Sequence, residues 1–141
     1  MRTLGDIIAT RSGGVYRHAG HDVTIPPTSS EPPRLIQLSG PADKSELLKA
    51  FARIFEFPNW FGHNWDALEE CLLENPPGAG GVILRLSSVH PLADRDPDAL
   101  HTVVEILRDV AAAWKLRGEL FIVLLEDGGK LTADLEEVKA A

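Results

Sequence analysis

The sequence predicts an α/β fold: a small three-stranded parallel sheet packed with helices, with an N-terminal extension ahead of it. Three observations carry this reading. Apolar runs of strand length recur at Leu35–Leu38, Val82–Leu86 and Leu120–Leu125. The segments between them have helical periodicity, and strands joined by helical crossovers run parallel. The third is length. A chain of 141 residues suits one core, with about two-thirds of its unfolded surface buried and no disulfide or metal needed to staple it.

The division falls at residue 33, giving an extension over 1–33 and the main domain over 34–141. In the extension, Gly13-Gly14, Gly20, Pro26-Pro27 and Pro32-Pro33 are turn and breaker signals. Between them, Gly14–Arg17 and Asp22–Ile25 are expected to form a short hairpin, and Pro26–Pro33 a linker. Asp43 followed by Glu46 is a capping-box pattern. Leu47, Leu48, Phe51, Ile54 and Phe55 then mark one helical face, stopped by Pro58. A second helix opens near Asn64 and ends at Asn75-Pro76-Pro77-Gly78. Ser87–Arg95 reads as a loop with room for a helical turn. Asp96-Pro97 starts a long helix whose buried stripe is Leu100, Val103, Val104, Leu107, Ala111 and Trp114, with Gly118 as its stop. A short final helix is expected from Leu131.

Charge narrows the function classes. Lys and Arg number 14 against 21 Asp and Glu, a net charge of −7. Direct binding of nucleic acid or of an anionic membrane needs basic patches, so both are disfavoured, whereas a basic partner is not. The single cysteine, Cys71, excludes an intrachain disulfide and fits a reducing compartment. The first residues show no signal-peptide pattern, and the longest apolar run is far too short to span a bilayer. A cytoplasmic location is expected, and no cofactor is called for.

Residues 57–74 hold the chemistry. Placed on a helix, Trp65, Leu68, Cys71 and Leu72 share the core face, and Asp66, Glu70 and Glu74 fall in an i, i+4, i+8 row nearly opposite. Between Arg53 and Arg85 there is no Lys or Arg. Like charges at that spacing destabilise a helix by about 0.2–0.5 kcal/mol per pair. An acidic helix face is ordinarily just solvated surface. Here the missing bases, and Trp60-Phe61 in the loop before the helix, point instead to an interface anchor rimmed by charge. Adjacent loop aromatics cannot both point inward, so one is expected buried and one exposed. Gly62 is expected at a positive φ or a close backbone approach, and Asn64 is the expected N-cap.

The run Phe57-Pro58-Asn59-Trp60-Phe61-Gly62-His63-Asn64-Trp65-Asp66-Ala67-Leu68-Glu69-Glu70-Cys71-Leu72 resembles the signature of the barstar family, intracellular inhibitors of secreted microbial ribonucleases. The resemblance spans roughly Arg34–Glu126, including the order of strands and helices. It implies a three-stranded parallel sheet with helices around it, and a protein that is no enzyme but plugs a basic nuclease cleft with a loop and the helix after it. The implied contact residues are Trp60, Phe61, Gly62, Asn64, Asp66 and Glu70, and the acid row adds Glu74. The implied partner is a basic secreted ribonuclease or a related toxin, bound one-to-one. The alternative is an immunity or antitoxin protein of the same fold against a toxin that is not a ribonuclease.

The sequence departs from the family pattern in places. Trp60 and Phe61 stand where the family has two tyrosines, so the hydroxyl hydrogen bonds are gone. Glu69 replaces an aromatic, and Glu70 a shorter Asp. The long helix ends Ala111-Ala112-Ala113-Trp114 where the family can offer a further acid.

Other chemistry is weaker. His18 and His21 lack a third metal ligand nearby, and His101 with Glu105 reads as a surface pair. A hydrolase built on His63, Asp66 and Glu70 has no nucleophile motif. Cys71 falls on a core face as an inert packing residue. Gly78-Ala79-Gly80-Gly81 is a turn into a strand, without the Lys-Ser/Thr of a phosphate loop.

Overall fold

In the computed structural model, which describes residues 1–20, 22–27 and 31–139, parallel strands order as β2-β3-β4-β1-β5 in one sheet. The strands are β1 (Gly14–His18), β2 (Arg34–Ser39), β3 (Val82–Ser87), β4 (Phe121–Glu126) and β5 (Glu137–Val138). The expected three strands are β2, β3 and β4; among the described residues the sheet has five. β1 lies parallel beside β4, with Gly14 opposite Ile122 and His18 opposite Glu126, and β5 pairs with the far side of β1.

The expected hairpin is therefore not formed: Asp22–Ile25 carries no strand. Its physical reason is burial on both sides. Val15 and Tyr16 point to opposite faces and are 7% and 6% exposed, which a sheet interior provides and a surface hairpin does not. The expected final helix is also replaced, by a 3-10 turn at Gly129–Thr132 followed by β5.

Helices cover both faces. On one, α2 (Lys44–Ile54), α3 (Trp65–Leu73) and α5 (Pro97–Leu116) bury Phe51, Leu68, Leu107 and their neighbours against Leu84, Val123 and Leu125. On the other, α1 (Leu4–Ala9) buries Leu4, Ile7 and Ile8 against Ile83, Ile122 and Leu124. Ser87–Arg95 contains α4 (His90–Arg95). α1 is closed by a capping box: Asp6 N–H donates to the Thr3 hydroxyl at 3.1 Å, and Thr3 N–H to the Asp6 carboxylate at 2.9 Å.

α5 shows why its ends lie where they do. Asp96 accepts from Ala99 N–H, and Pro97 occupies the first helical position. At the other end Gly118 has φ +77°, Gly118 N–H donates to the Lys115 carbonyl and Glu119 N–H to the Trp114 carbonyl. That is the Schellman pattern, and glycine adopts its left-handed residue without a Cβ clash.

Candidate functional site

The site begins where α2 stops. Glu56 has φ +53° and Phe57 N–H donates to the Ala52 carbonyl at 2.9 Å. This is a helix stop of the same type as that of α5, with glutamate in the position glycine prefers, at a cost of about 1–2 kcal/mol. Phe61 N–H then donates to the Pro58 carbonyl at 2.9 Å, closing a turn over residues 58–61 with Trp60 near its tip. One aromatic points out and one in, as expected: Trp60 is 59% exposed and Phe61 5%.

Phe61 is part of a row of rings. Centroids step from Phe51 to Phe55 at 5.8 Å, to Phe57 at 6.0 Å, to Phe61 at 5.0 Å and to His63 at 4.8 Å. Such offset and tilted contacts are favourable geometries for aromatic pairs. They tie the loop to the core and hold its backbone while Trp60 stays in solvent. Phe61, expected among the contact residues, is thus turned inward and positions the loop.

The positive φ expected of Gly62 belongs to its neighbour His63, at +51°. Gly62 lies close to the capping side chain: a Cβ there would stand 2.9 Å from Asn64 Nδ2, the terminal atom of that side chain. Asn64 is the N-cap of α3, its Oδ1 accepting from Ala67 N–H at 2.8 Å. At the far end, Asn75 Nδ2 donates to the Phe55 carbonyl at 3.1 Å, tying the end of α3 to the end of α2.

α3 buries Leu68, Cys71 and Leu72 and leaves Trp65 half-buried. Asp66, Glu70 and Glu74 are exposed, and Glu69 is half-buried. Among the described residues, none of these four carboxylates has an ion-pair partner. Asp66 lies in the first turn, where the helix dipole favours it; Glu70 and Glu74 have no such help. Their field reaches the core: burial, then Glu74 and Glu70, push the Cys71 thiol up, which keeps it protonated and inert.

One base near α3 is invisible to local sequence. Lys44 of α2 stands with Nζ 5.0 Å from the centre of the Trp65 ring, a cation–π contact. It came from a segment about twenty residues upstream, brought close only by the packing of α2 beside α3.

The remaining candidates separate from this surface. His101 and Glu105 form an exposed i, i+4 pair at 3.3 Å. His18 is buried, its Nδ1 2.7 Å from Glu126 Oε2, and Arg85 Nε donates to the same oxygen at 2.7 Å. His21 lies outside the described residues. Among the described residues, no group of three or more His, Cys, Asp or Glu is placed to hold a metal ion, and no helix is long and apolar enough to cross a membrane.

An exposed indole on an anchored turn thus precedes a helix whose exposed carboxylates have no ion pair among the described residues. No curated protein matches the chain. A family model described as barstar, barnase inhibitor, matches residues 32–126, well over half of the chain and inclusive of the loop, α3 and strands β2 to β4. The chain belongs to the barstar family.

Proposed function

We propose that this protein inhibits a basic microbial ribonuclease by seating Trp60 and the Asp66–Glu70–Glu74 row of α3 in the nuclease's RNA-binding cleft. The observation that carries the reading is the acid row without ion-pair partners among the described residues, on the helix that follows an exposed tryptophan. Successive acids in the row are about 6 Å apart along the helix axis. A cleft built for RNA presents Arg, Lys or His to phosphates, and carboxylates on a rigid helix can pair with the same groups. Opposite potentials steer the encounter and raise its rate. Trp60 supplies the apolar anchor, Gly62 the close approach of the loop, and Asn64 the cap that fixes where α3 begins.

In this reading the protein acts by occlusion, one-to-one, without catalysis or cofactor, in the cytoplasm of the cell that makes the nuclease. It supports a related partner as well, since Trp60 and Phe61 lack the hydroxyls of the family's two tyrosines. The test is RNA hydrolysis by basic secreted ribonucleases titrated with the protein. Inhibition that completes at a one-to-one ratio is expected. Undiminished hydrolysis by every such nuclease, with neutralisation of a toxin that does not cleave RNA, would replace the ribonuclease by the other partner.

A further inference from the structure

The stretch that matches the family contains β2, β3 and β4, and within it β4 has a strand on one side only, β3. Segments from both ends of the chain close the other side. β1 pairs along the length of β4, from Gly14 opposite Ile122 to His18 opposite Glu126. α1 lays the fully buried Leu4 and Ile7 over the sheet face that carries Ile83, Ile122 and Leu124.

These two ends also grip each other. Arg2 makes a two-pronged ion pair with Glu136, both contacts at 2.7 Å. Leu4 N–H donates to the Lys139 carbonyl at 2.8 Å, and Arg17 N–H to the Glu136 carbonyl at 3.0 Å. Arg17 Nε adds a bond to the Leu135 carbonyl at 2.8 Å. The C-terminal end adds a strand of two residues, β5, whose neighbour in the sheet is β1.

The outer strands of the matched stretch differ in kind. β2 is an edge of the finished sheet, with Arg34, Gln37 and Ser39 exposed along it. Polar, half-exposed edges resist pairing with other chains. β4 is buried at all six residues and is uncharged from Phe121 to Leu125. It is an interior strand, and uncovered it would be an apolar edge with a full row of unpaired backbone groups.

We propose that the two terminal segments form a clasp that keeps the chain monomeric by occupying the β4 edge, and that a second copy's β4 takes that place when the clasp is displaced. A two-fold axis brings two identical edges together antiparallel, and the uncharged Phe121–Leu125 run puts no like charges opposite each other there.

The test uses the full chain carrying Leu4→Glu and Ile7→Glu, which expel α1, together with Val15→Glu, which displaces β1 from the β4 edge, while leaving residues 32–126 unchanged. Sedimentation velocity is expected to show a dimer near 100 µM, in the range where exposed edges associate, that dissociates on dilution, while wild type stays monomeric. β4 amides should exchange fast in the dilute variant and slowly in its dimer. A variant that stays monomeric at that concentration, or that loses its helical circular dichroism altogether, overturns the proposal. Arg2→Ala leaves the core intact and should speed exchange in residues 4–18 and 137–139 by one common factor, about two- to five-fold. Faster exchange in one terminal segment alone would mean that the two do not act together, and would equally overturn it.

Discussion

Two groups of acids in this molecule are treated in opposite ways. Glu126, at the end of β4, has its side chain 4% exposed and meets His18 and Arg85, each at 2.7 Å. Asp66, Glu70 and Glu74 stand in water along α3 with no ion pair among the described residues. A buried carboxylate must be paired, because the cost of desolvating it is several kcal/mol. A surface carboxylate need not be, and pairing it within the chain would take it from a partner. Under the proposed function, the difference separates charge that holds the fold from charge held ready for binding, and mutation should divide along the same line.

The largest expected effect is on binding. Asp66→Ala and Glu70→Ala should each weaken the nuclease complex by about 2–5 kcal/mol, a range known from a complex of this family itself. Folding stability should stay level or rise slightly for Glu70→Ala, which removes like-charge neighbours worth about 0.2–0.5 kcal/mol each, and stay level or fall slightly for Asp66→Ala, which also gives up a first-turn position worth about 0.3–1 kcal/mol; titration calorimetry and urea melts read the two effects. Glu126→Ala should do the reverse. It leaves Arg85 and His18 without the carboxylate between them, with an expected loss of about 3–5 kcal/mol of stability and unchanged affinity of the fraction that remains folded. If Glu126→Ala weakened binding while leaving the urea midpoint in place, the division would fail.

A smaller effect tests the loop. Glu56→Gly relieves the left-handed residue at the end of α2 and should raise stability by about 0.5–1 kcal/mol, seen as a higher urea midpoint. A lower midpoint would mean that the Glu56 side chain contributes more than its backbone strain costs.

The smallest effect concerns acid. Hydrogen bonds from Thr3 hold the Asp6 carboxyl below its ordinary value, and the Arg2 guanidinium does the same for Glu136. The folded protein therefore binds these protons less readily than the unfolded chain. Their stabilisation is full at neutral pH and is lost as pH falls below the ordinary carboxylate range near 4 and through the depressed folded values. Hydrogen exchange should show α1 and β5 losing protection on acidification before α5 does. Loss of all three together would contradict this local origin.

How much of this was legible in the sequence depends on where the cause lies. α2, α3 and α5 were legible because their caps, stripes and stops are local, as in Asp43, Asn64 and Gly118. The Trp60–Phe61 split followed from neighbouring residues on a turn. β1 is legible as a strand at Gly14–Arg17 but its partner is not, because so short a run says nothing about a strand more than a hundred positions away. α1 has a local signal of its own, Thr3 with Asp6 at capping-box spacing. Lys44 beside Trp65 and Arg85 beside Glu126 are products of helix and sheet packing. The loop and helix of the candidate site are legible and the contacts between β1, β4 and β5 are not, since the first are a contiguous motif and the second join segments far apart in sequence.

The central claim is that the bare acids of α3 make the binding surface. Its most direct measurement is the affinity of an inhibited ribonuclease for wild type and for the isosteric pair Asp66→Asn with Glu70→Gln, across a range of salt. The isosteres keep shape and remove charge. Wild type should bind orders of magnitude more tightly at low salt, with the gap narrowing as salt screens the carboxylates. Equal affinities at every salt concentration, with both proteins folded, would contradict the account.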